Sequence, residues 1–103
     1  MRNLKAILAS LLIISTFSTV AEEVTPAGVG CDTDSGVCFV ILKSPFIGGT
    51  CENKGQIRMN PDKKGTVGQY SAALAAFMAG KKLEVGSVGC FQGHVEPSFL
   101  YVR

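Results

Sequence analysis

The sequence contains few of the residues that usually carry catalysis or bind metals. It has no tryptophan and one histidine, His94, and its four cysteines include no C-x₂-C pair, so a zinc site is disfavoured. No serine or unpaired cysteine lies in a recognisable nucleophile motif. His94 with Glu96, two residues on, is the remaining candidate for an enzyme. We expect instead a non-catalytic protein without cofactor or metal, in which Phe91 and His94 contact a ligand from a loop.

Long apolar runs are absent except at the N-terminus. There, Arg2 and Lys5 flank the start of a short apolar segment, and a small-residue cleavage site ends at Ala21. This order is typical of a secretory signal peptide, and the run is shorter than the roughly 20 apolar residues of a transmembrane anchor. No cysteine near the cleavage site offers a lipoprotein anchor. We therefore predict a bacterial Sec-type signal peptide over 1–21, one domain over 22–103, a secreted or periplasmic location and no membrane span.

An excess of either charge is also missing from the secreted part. The chain has ten basic and eight acidic residues, and the signal peptide holds two of the basic ones. Eight residues of each sign remain, so the formal net charge of the mature chain is near zero. A general nucleic-acid binder needs a basic surface to neutralise phosphates. We therefore expect no nucleic-acid partner and no attachment to anionic membranes by charge alone.

The cysteines would support a small hydrophobic core. Removing residues 1–21 from 103 leaves 82 residues, and a chain of this size buries too little surface for a strong core. In an oxidising compartment, four cysteines indicate two disulfides, with three possible pairings. We favour Cys31–Cys38, which flank a turn-rich string, and Cys51–Cys90, which would join a loop to the end of a strand.

The string between the first two cysteines, Asp32-Thr33-Asp34-Ser35-Gly36, resembles the start of a calcium-binding loop. The third ligand and the distal glutamate of such a loop are missing at the required offsets. Aspartate, serine and glycine are also the residues that a tight turn prefers. The string therefore predicts a hairpin turn.

Hydrophobic patterns predict five strands with one helix after the third. The strands are expected near 24–31, 37–42, 56–60, 82–88 and 98–102, and the helix near 67–79. The order β-β-β-α-β-β is that of the OB-fold, a small Greek-key barrel. We predict a mainly β protein with a small five-stranded OB-fold-like barrel, one helix and two disulfides. The alternative is an open α+β sheet with the helix on one face.

The predicted helix carries no charged residue between Thr66 and Gly80. Thr66 and Gln69 have the spacing of a capping box, and Gly80 suits a left-handed C-terminal cap. Large apolar residues occupy one stripe, at Val67, Tyr70, Leu74, Phe77 and Met78. Alanines occupy the other side, at Ala72, Ala75, Ala76 and Ala79. Because an outward helix face normally carries charge, we predict that the alanine face contacts a partner; alternatively, these good helix formers face water.

Aromatic residues alternate in the last predicted strand. Phe99 and Tyr101 share one face, and Leu100 and Val102 share the other. We expect one face to lie in the core and the helix or a neighbouring chain to cover the other. The alternative is an aromatic platform that binds a sugar ring or a base. A site that stacks a nucleobase would normally include basic residues, and the strand offers only Arg103.

The stretch Y-S-A-A-L-A-A-F-M-A-G-K-K-L-E-V, residues 70–85, is preceded by a turn with proline and aspartate. A glycine, Cys90, a loop and an apolar strand ending in Y-V follow it. This pattern resembles small secreted bacterial proteins similar to the B subunits of AB5-type toxins, in particular the subtilase-cytotoxin and pertussis-like binding subunits. The resemblance covers residues 24–102. It implies an OB-fold, a Cys51–Cys90 disulfide, and a ring, often pentameric, with the helices facing a central pore.

The resemblance also implies binding of cell-surface glycans and association with an A subunit, and it assigns no sugar-contacting residue in this chain. The leading hypothesis is therefore a secreted, non-catalytic, glycan-binding and ring-forming protein similar to a toxin B subunit. The alternative is a monomeric secreted or periplasmic interaction protein, such as an inhibitor or an envelope-stress factor.

Overall fold

The computed structural model describes residues 21–103, apart from the side chains of Ser87 and Val88. The predicted signal peptide lies outside the described residues, except for Ala21. No helix within 21–103 combines the length and the apolar character needed to cross a membrane. In chain order the elements are β1 (Ala21–Val24), β2 (Pro26–Cys31), β3 (Cys38–Leu42), β4 (Asn53–Met59), α1 (Thr66–Ala79), β5 (Leu83–Phe91) and β6 (His94–Val102).

The six strands form one sheet in the order β1-β5-β6-β4-β3-β2. Neighbouring strands are antiparallel except β4 and β6, which are parallel. The two ends of the sheet, β1 and β2, are consecutive in the chain and only Thr25 separates them. The sheet must therefore curl until its ends approach, so that 21–31 acts as one bent strand. The result is the predicted five-stranded OB-fold-like barrel with one helix.

Alternation along the strands builds the interior of the barrel. In β4, Ile57 and Met59 are at most 1% exposed, whereas Gln56 and Arg58 are more accessible and lie on the outer face. The core cluster draws on the strands, the loop after β3 and the helix: Val24, Val40, Leu42, Phe46, Cys51, Ile57, Met59, Ala73, Ala76, Leu83, Val85 and Val95.

Both predicted disulfides are present. Cys31 pairs with Cys38 directly across β2 and β3, and Cys51 joins Cys90 over a sequence separation of 39. The predicted hairpin turn is confirmed as well. The backbone N–H of Asp32 donates to the carbonyl of Val37 at 2.9 Å.

The last two strands are longer than the sequence predicts. Residues 89–97 fall between the predicted strands, but His94 and Pro97 both lie in β6, so the expected loop position of His94 is wrong. Only Gln92 and Gly93 connect β5 to β6, with φ of 54° and 79°, as in the two-residue turns that match the twist of a hairpin. Pro97 is tolerated because the strand register shifts on both sides of its partner in β5.

The two ends of α1 differ in how well they follow the prediction. Gly80 has φ of 68°, and the N–H of Lys81 donates to the carbonyl of Ala76 at 2.8 Å, so the left-handed C-terminal cap is confirmed. The predicted capping box is wrong. The N-cap residue is Gly65, without a side-chain cap. The hydroxyl of Thr66 donates instead to the carbonyl of Asn60 because Thr66 already lies inside the helix.

The predicted sidedness of α1 is also wrong. Ala73 and Ala76 are fully buried, whereas Val67 and Met78 are 78% and 76% exposed. The helix contacts β6, β2 and β3, and methyl side chains allow its backbone to approach a barrel that larger residues already fill. Of the four alanines expected on an outer face, Ala76 is buried, Ala72 is half-buried, and only Ala75 and Ala79 are exposed.

Candidate functional site

Within residues 21–103, most of the exposed large apolar side chains lie on two surfaces, one on the sheet and one on the helix. Neither surface includes a metal site: among residues 21–103, no three His, Cys, Asp or Glu side chains lie close enough together to hold an ion. Monomeric soluble proteins seldom leave large apolar side chains clustered in water without a binding role. These two surfaces are therefore the candidate contact sites.

The sheet surface consists of Phe99 and Tyr101 on β6, and we call it the aromatic platform. Their ring centroids are 6.2 Å apart and their planes differ by only 15°. Phe99 is 43% exposed and Tyr101 is 50% exposed. Within the single chain, the helix does not cover this face, so the expected cover by a neighbouring chain stays a prediction. Both side chains are exposed enough to contact an incoming group.

A glycine on the neighbouring strand fixes how the platform lies. Gly86 pairs with Phe99 across β5 and β6. A Cβ atom at Gly86 would lie closer to the ring of Phe99 than side chains approach. The absence of a side chain at Gly86 thus lets the Phe99 ring pack over this position.

Charged side chains border the platform. Glu84 pairs with Tyr101, and its carboxylate accepts a 2.9 Å hydrogen bond from Nη1 of Arg103. Nε of Arg103 lies 3.3 Å from the carboxylate of Glu23. The hydrogen bond that Arg103 donates to Glu84, together with the negative charge of that carboxylate, raises the pKa of Arg103 above its ordinary value. Hydrogen-bonding groups thus lie beside a flat apolar plane.

The helix surface consists of Val67, Leu74, Phe77 and Met78, whose exposed fractions are 78%, 39%, 39% and 76%. These positions recur at spacings of three, four and seven residues, so they share one side of α1. No charged side chain interrupts them because the helix has none. Apolar, charge-free surfaces of this kind are typical of the centre of protein–protein interfaces.

The ligand-contact candidates Phe91 and His94 are brought together at the β5–β6 turn, where they form a cross-strand pair. Both are half-buried, and Nδ1 of His94 lies 2.8 Å from the carbonyl of Gln92. Glu96, the other member of the catalytic alternative, has its carboxylate 3.5 Å from Nζ of Lys63. His94 and Glu96 therefore have different partners. A ligand role for Phe91 and His94 stays a prediction.

A cleft of about 390 Å³ lies between the start of α1 and β6. Two of its polar side chains have partners within the chain. The buried hydroxyl of Thr66 donates to the carbonyl of Asn60, and Glu96 is paired with Lys63. The cleft is also lined by Lys64, Gln69 and Ser98, none of which is buried.

The sequence pattern identifies the aromatic platform only as the alternative to a covered strand, and it does not predict the helix surface. The chain matches no protein-family model, and no curated protein matches it at a significant level. Functional conclusions therefore depend on the geometry of these surfaces.

Proposed function

We propose that this chain is a secreted or periplasmic, non-catalytic binding module that recognises a carbohydrate on its aromatic platform and assembles through its helix surface. The observation that carries the proposal is the pair of stacked, half-exposed rings of Phe99 and Tyr101. The OB-fold is a scaffold that binds oligosaccharides and oligonucleotides. With eight charges of each sign in the predicted mature chain, the oligosaccharide is the better fit.

The chemistry of the platform suits a sugar ring. One face of a pyranose presents C–H groups that pack against an aromatic plane, while its hydroxyl groups need hydrogen-bonding partners. The rings of Phe99 and Tyr101 supply the plane. Glu84 and Arg103 lie beside Tyr101 and are bonded to each other. The second carboxylate oxygen and the remaining N–H groups of the guanidinium would serve the hydroxyl groups of the sugar.

A glycan array with the mature protein, followed by calorimetry on the strongest hit, tests the platform. We expect Phe99→Ala to weaken binding about tenfold or more, because stacking on an aromatic ring contributes about 1–3 kcal/mol. Ile47→Ala, which removes an exposed apolar side chain from the loop after β3, is the control and should leave binding unchanged. An array without a hit, or a hit that Phe99→Ala leaves unchanged, would contradict the proposal.

Assembly through the helix surface accords with the resemblance to toxin B subunits. A charge-free apolar stripe on one side of a helix loses water on contact with another chain. If copies meet through two different patches, the contact is heterologous and closes into a ring when the rotation allows. A pentameric ring with an associated A subunit is the arrangement that the resemblance implies.

Light scattering of the mature protein at high concentration tests the assembly. We expect an oligomer that Met78→Glu reduces to monomers, because a carboxylate on the stripe would lose its water without a partner. Ala75→Glu, at an exposed position outside the stripe, should leave the oligomer intact. A monomer at all concentrations would rule out self-assembly.

The helix surface also supports a second candidate function, a monomeric interaction protein that uses Val67, Leu74 and Met78 to hold another protein. The two functions predict different oligomeric states and different ligands. A monomer that captures a specific protein partner in pull-down, loses it on Met78→Glu and binds no glycan would favour this second function.

A further inference from the structure

The Cys31–Cys38 disulfide joins the two strands at the turn end of the β2–β3 hairpin. Cys31 ends β2, Cys38 begins β3, and the two residues lie directly opposite each other in the sheet. Their Cα atoms are 3.9 Å apart, whereas the Cα atoms of Cys51 and Cys90 are 5.6 Å apart. Disulfides usually join Cα atoms about 4.4–6.8 Å apart, and bonds outside this range are more easily reduced. By this criterion, Cys31–Cys38 is the more reducible of the two disulfides.

The surroundings of the sulfur atoms favour reaction at the same disulfide. Cys31 is exposed, so a thiol from solution can approach it, and Cys38 is half-buried. Cys51 belongs to the core cluster, and its Sγ lies 3.5 Å from the carbonyl oxygen of Gly89. Packing therefore hinders attack on Cys51. Attack on the exposed Cys90 would expel Cys51 as a thiolate inside the core, where an unpaired charge is costly.

The turn between Cys31 and Cys38 has hydrogen bonds that do not depend on the disulfide. The N–H of Asp32 donates to the carbonyl of Val37 at 2.9 Å, and the N–H of Gly36 donates to the carbonyl of Asp32 at 3.0 Å. The N–H of Val37 donates to Oγ of Ser35 at 3.2 Å, and the side chain of Val37 is buried. These contacts hold the ends of β2 and β3 together after reduction. Two thiols kept in this arrangement close again far faster than two thiols on a flexible chain.

We propose that Cys31–Cys38 is a thiol–disulfide exchange site, which a dithiol opens while the barrel stays folded. A thiolate of the dithiol attacks Sγ of Cys31, the bond to Cys38 breaks, and Cys38 leaves as a thiolate that takes up a proton. The second thiolate of the dithiol then attacks the dithiol's own sulfur in the mixed disulfide and releases Cys31, which is protonated in turn. The protein gains two electrons and two protons, and the dithiol becomes an intramolecular disulfide.

The persistence of the turn also defines the class of reductant. A monothiol that attacks Cys31 forms a mixed disulfide, but Cys38 stays opposite and expels the monothiol again. A dithiol avoids this reversal because its second thiol completes the exchange within the mixed disulfide. The partner is therefore a small dithiol or a protein with two neighbouring cysteines, rather than a monothiol such as glutathione. The inference does not depend on the proposed carbohydrate binding.

Alkylation at defined redox ratios tests the proposal. The mature protein is equilibrated with mixtures of reduced and oxidised dithiothreitol, free thiols are trapped with N-ethylmaleimide, and the labelled peptides are identified by mass spectrometry. We expect Cys31 and Cys38 to be alkylated at a reduced-to-oxidised ratio about tenfold or more below that needed for Cys51 and Cys90. Far-UV circular dichroism should not change at this first step. Opening of both disulfides at one ratio, opening of Cys51–Cys90 first, or loss of the circular dichroism signal at the first step would overturn the proposal.

Reoxidation with glutathione disulfide tests whether the two thiols stay opposite each other. Protein reduced only at this pair should close Cys31–Cys38 without a lasting adduct, because Cys38 expels glutathione from Cys31. The variant Cys38→Ala lacks this second thiol and should keep one glutathione on Cys31. A lasting adduct on the unmodified sequence would contradict the proposal, as would a variant that takes up no glutathione.

Two glycines provide a matched pair of positions for testing the turn. Gly36 and Gly49 have φ of 72° and 78°, and a Cβ atom at either position would meet open space. Alanine at either position thus carries a similar backbone penalty. A strained turn can relax in the dithiol form, so Gly36→Ala should shift the dithiothreitol midpoint of Cys31–Cys38 about fivefold or more toward reduction. Gly49→Ala, in the loop after β3, should leave the midpoint unchanged, and equal behaviour of the two variants would overturn the proposal.

Discussion

At the residue scale, Ala76 shows how little space separates α1 from the barrel. Its side chain is fully buried, whereas the adjacent Ala75 is exposed. We expect Ala76→Leu to lower the free energy of unfolding by about 1–3 kcal/mol because the added carbons have no room. Ala75→Leu should change it by less than about 0.5 kcal/mol. Urea unfolding followed by circular dichroism measures both, and equal effects would place Ala76 on the surface.

Gly86 is the residue on which the geometry of the aromatic platform depends. Gly86→Ala places a methyl group against the ring of Phe99, so we expect a loss of about 1–3 kcal/mol in unfolding free energy and a displaced ring. The double variant Gly86→Ala with Phe99→Ala should recover part of that loss. If the two changes are simply additive in urea unfolding, the ring does not pack against Gly86.

At the element scale, we expect glycine-to-alanine substitutions at the two ends of α1 to have opposite effects on stability. Gly80 has φ of 68°, a conformation that costs other residues about 1–2 kcal/mol. Gly68 lies within the helix and has open space around it. We therefore expect Gly80→Ala to destabilise the protein by that amount, and Gly68→Ala to stabilise it by about 0.5–1 kcal/mol. Thermal unfolding of the two variants should show melting temperatures that move in opposite directions.

The packing of α1 on the barrel explains why its sequence pattern predicts the wrong outer face. A periodic stripe of large apolar residues normally marks the side that faces the core. In this chain, Ile57, Met59, Leu83 and Val85 fill the barrel from the strands. The helix therefore closes against it mainly with small alanine side chains, together with the partly buried Tyr70. The large side chains of the helix surface stay exposed.

At the scale of the whole molecule, the two disulfides constrain loops of very different length. Cys31–Cys38 spans a separation of 7, and Cys51–Cys90 spans 39. Loop-closure entropy predicts contributions of about 2.5 and about 4 kcal/mol. Cys51 also lies in the core, whereas Cys31 is exposed. We expect the Cys51→Ala/Cys90→Ala variant to lose more unfolding free energy than the Cys31→Ala/Cys38→Ala variant; the reverse order in urea unfolding would contradict this.

The order of the elements along the chain, the hairpin turn at 32–37 and the Cys31–Cys38 disulfide followed from local signals, because turn residues and apolar alternation act over a few positions. The β5–β6 turn was missed because Pro97 resembles a loop residue unless the shifted register around it is known.

Only the tertiary structure decided which sides of α1 and β6 remain open. Exposure of Met78, Phe99 and Tyr101 depends on how elements distant in sequence pack, and the periodicity of one segment does not contain that information. The contacts of Arg58 with Phe39 and Gln92 likewise arise because β4 meets β3 and the β5–β6 turn. The sequence by itself determined the elements and their order. The curling of the sheet then determined which side chains face solvent, because burial depends on contacts between segments far apart in the chain.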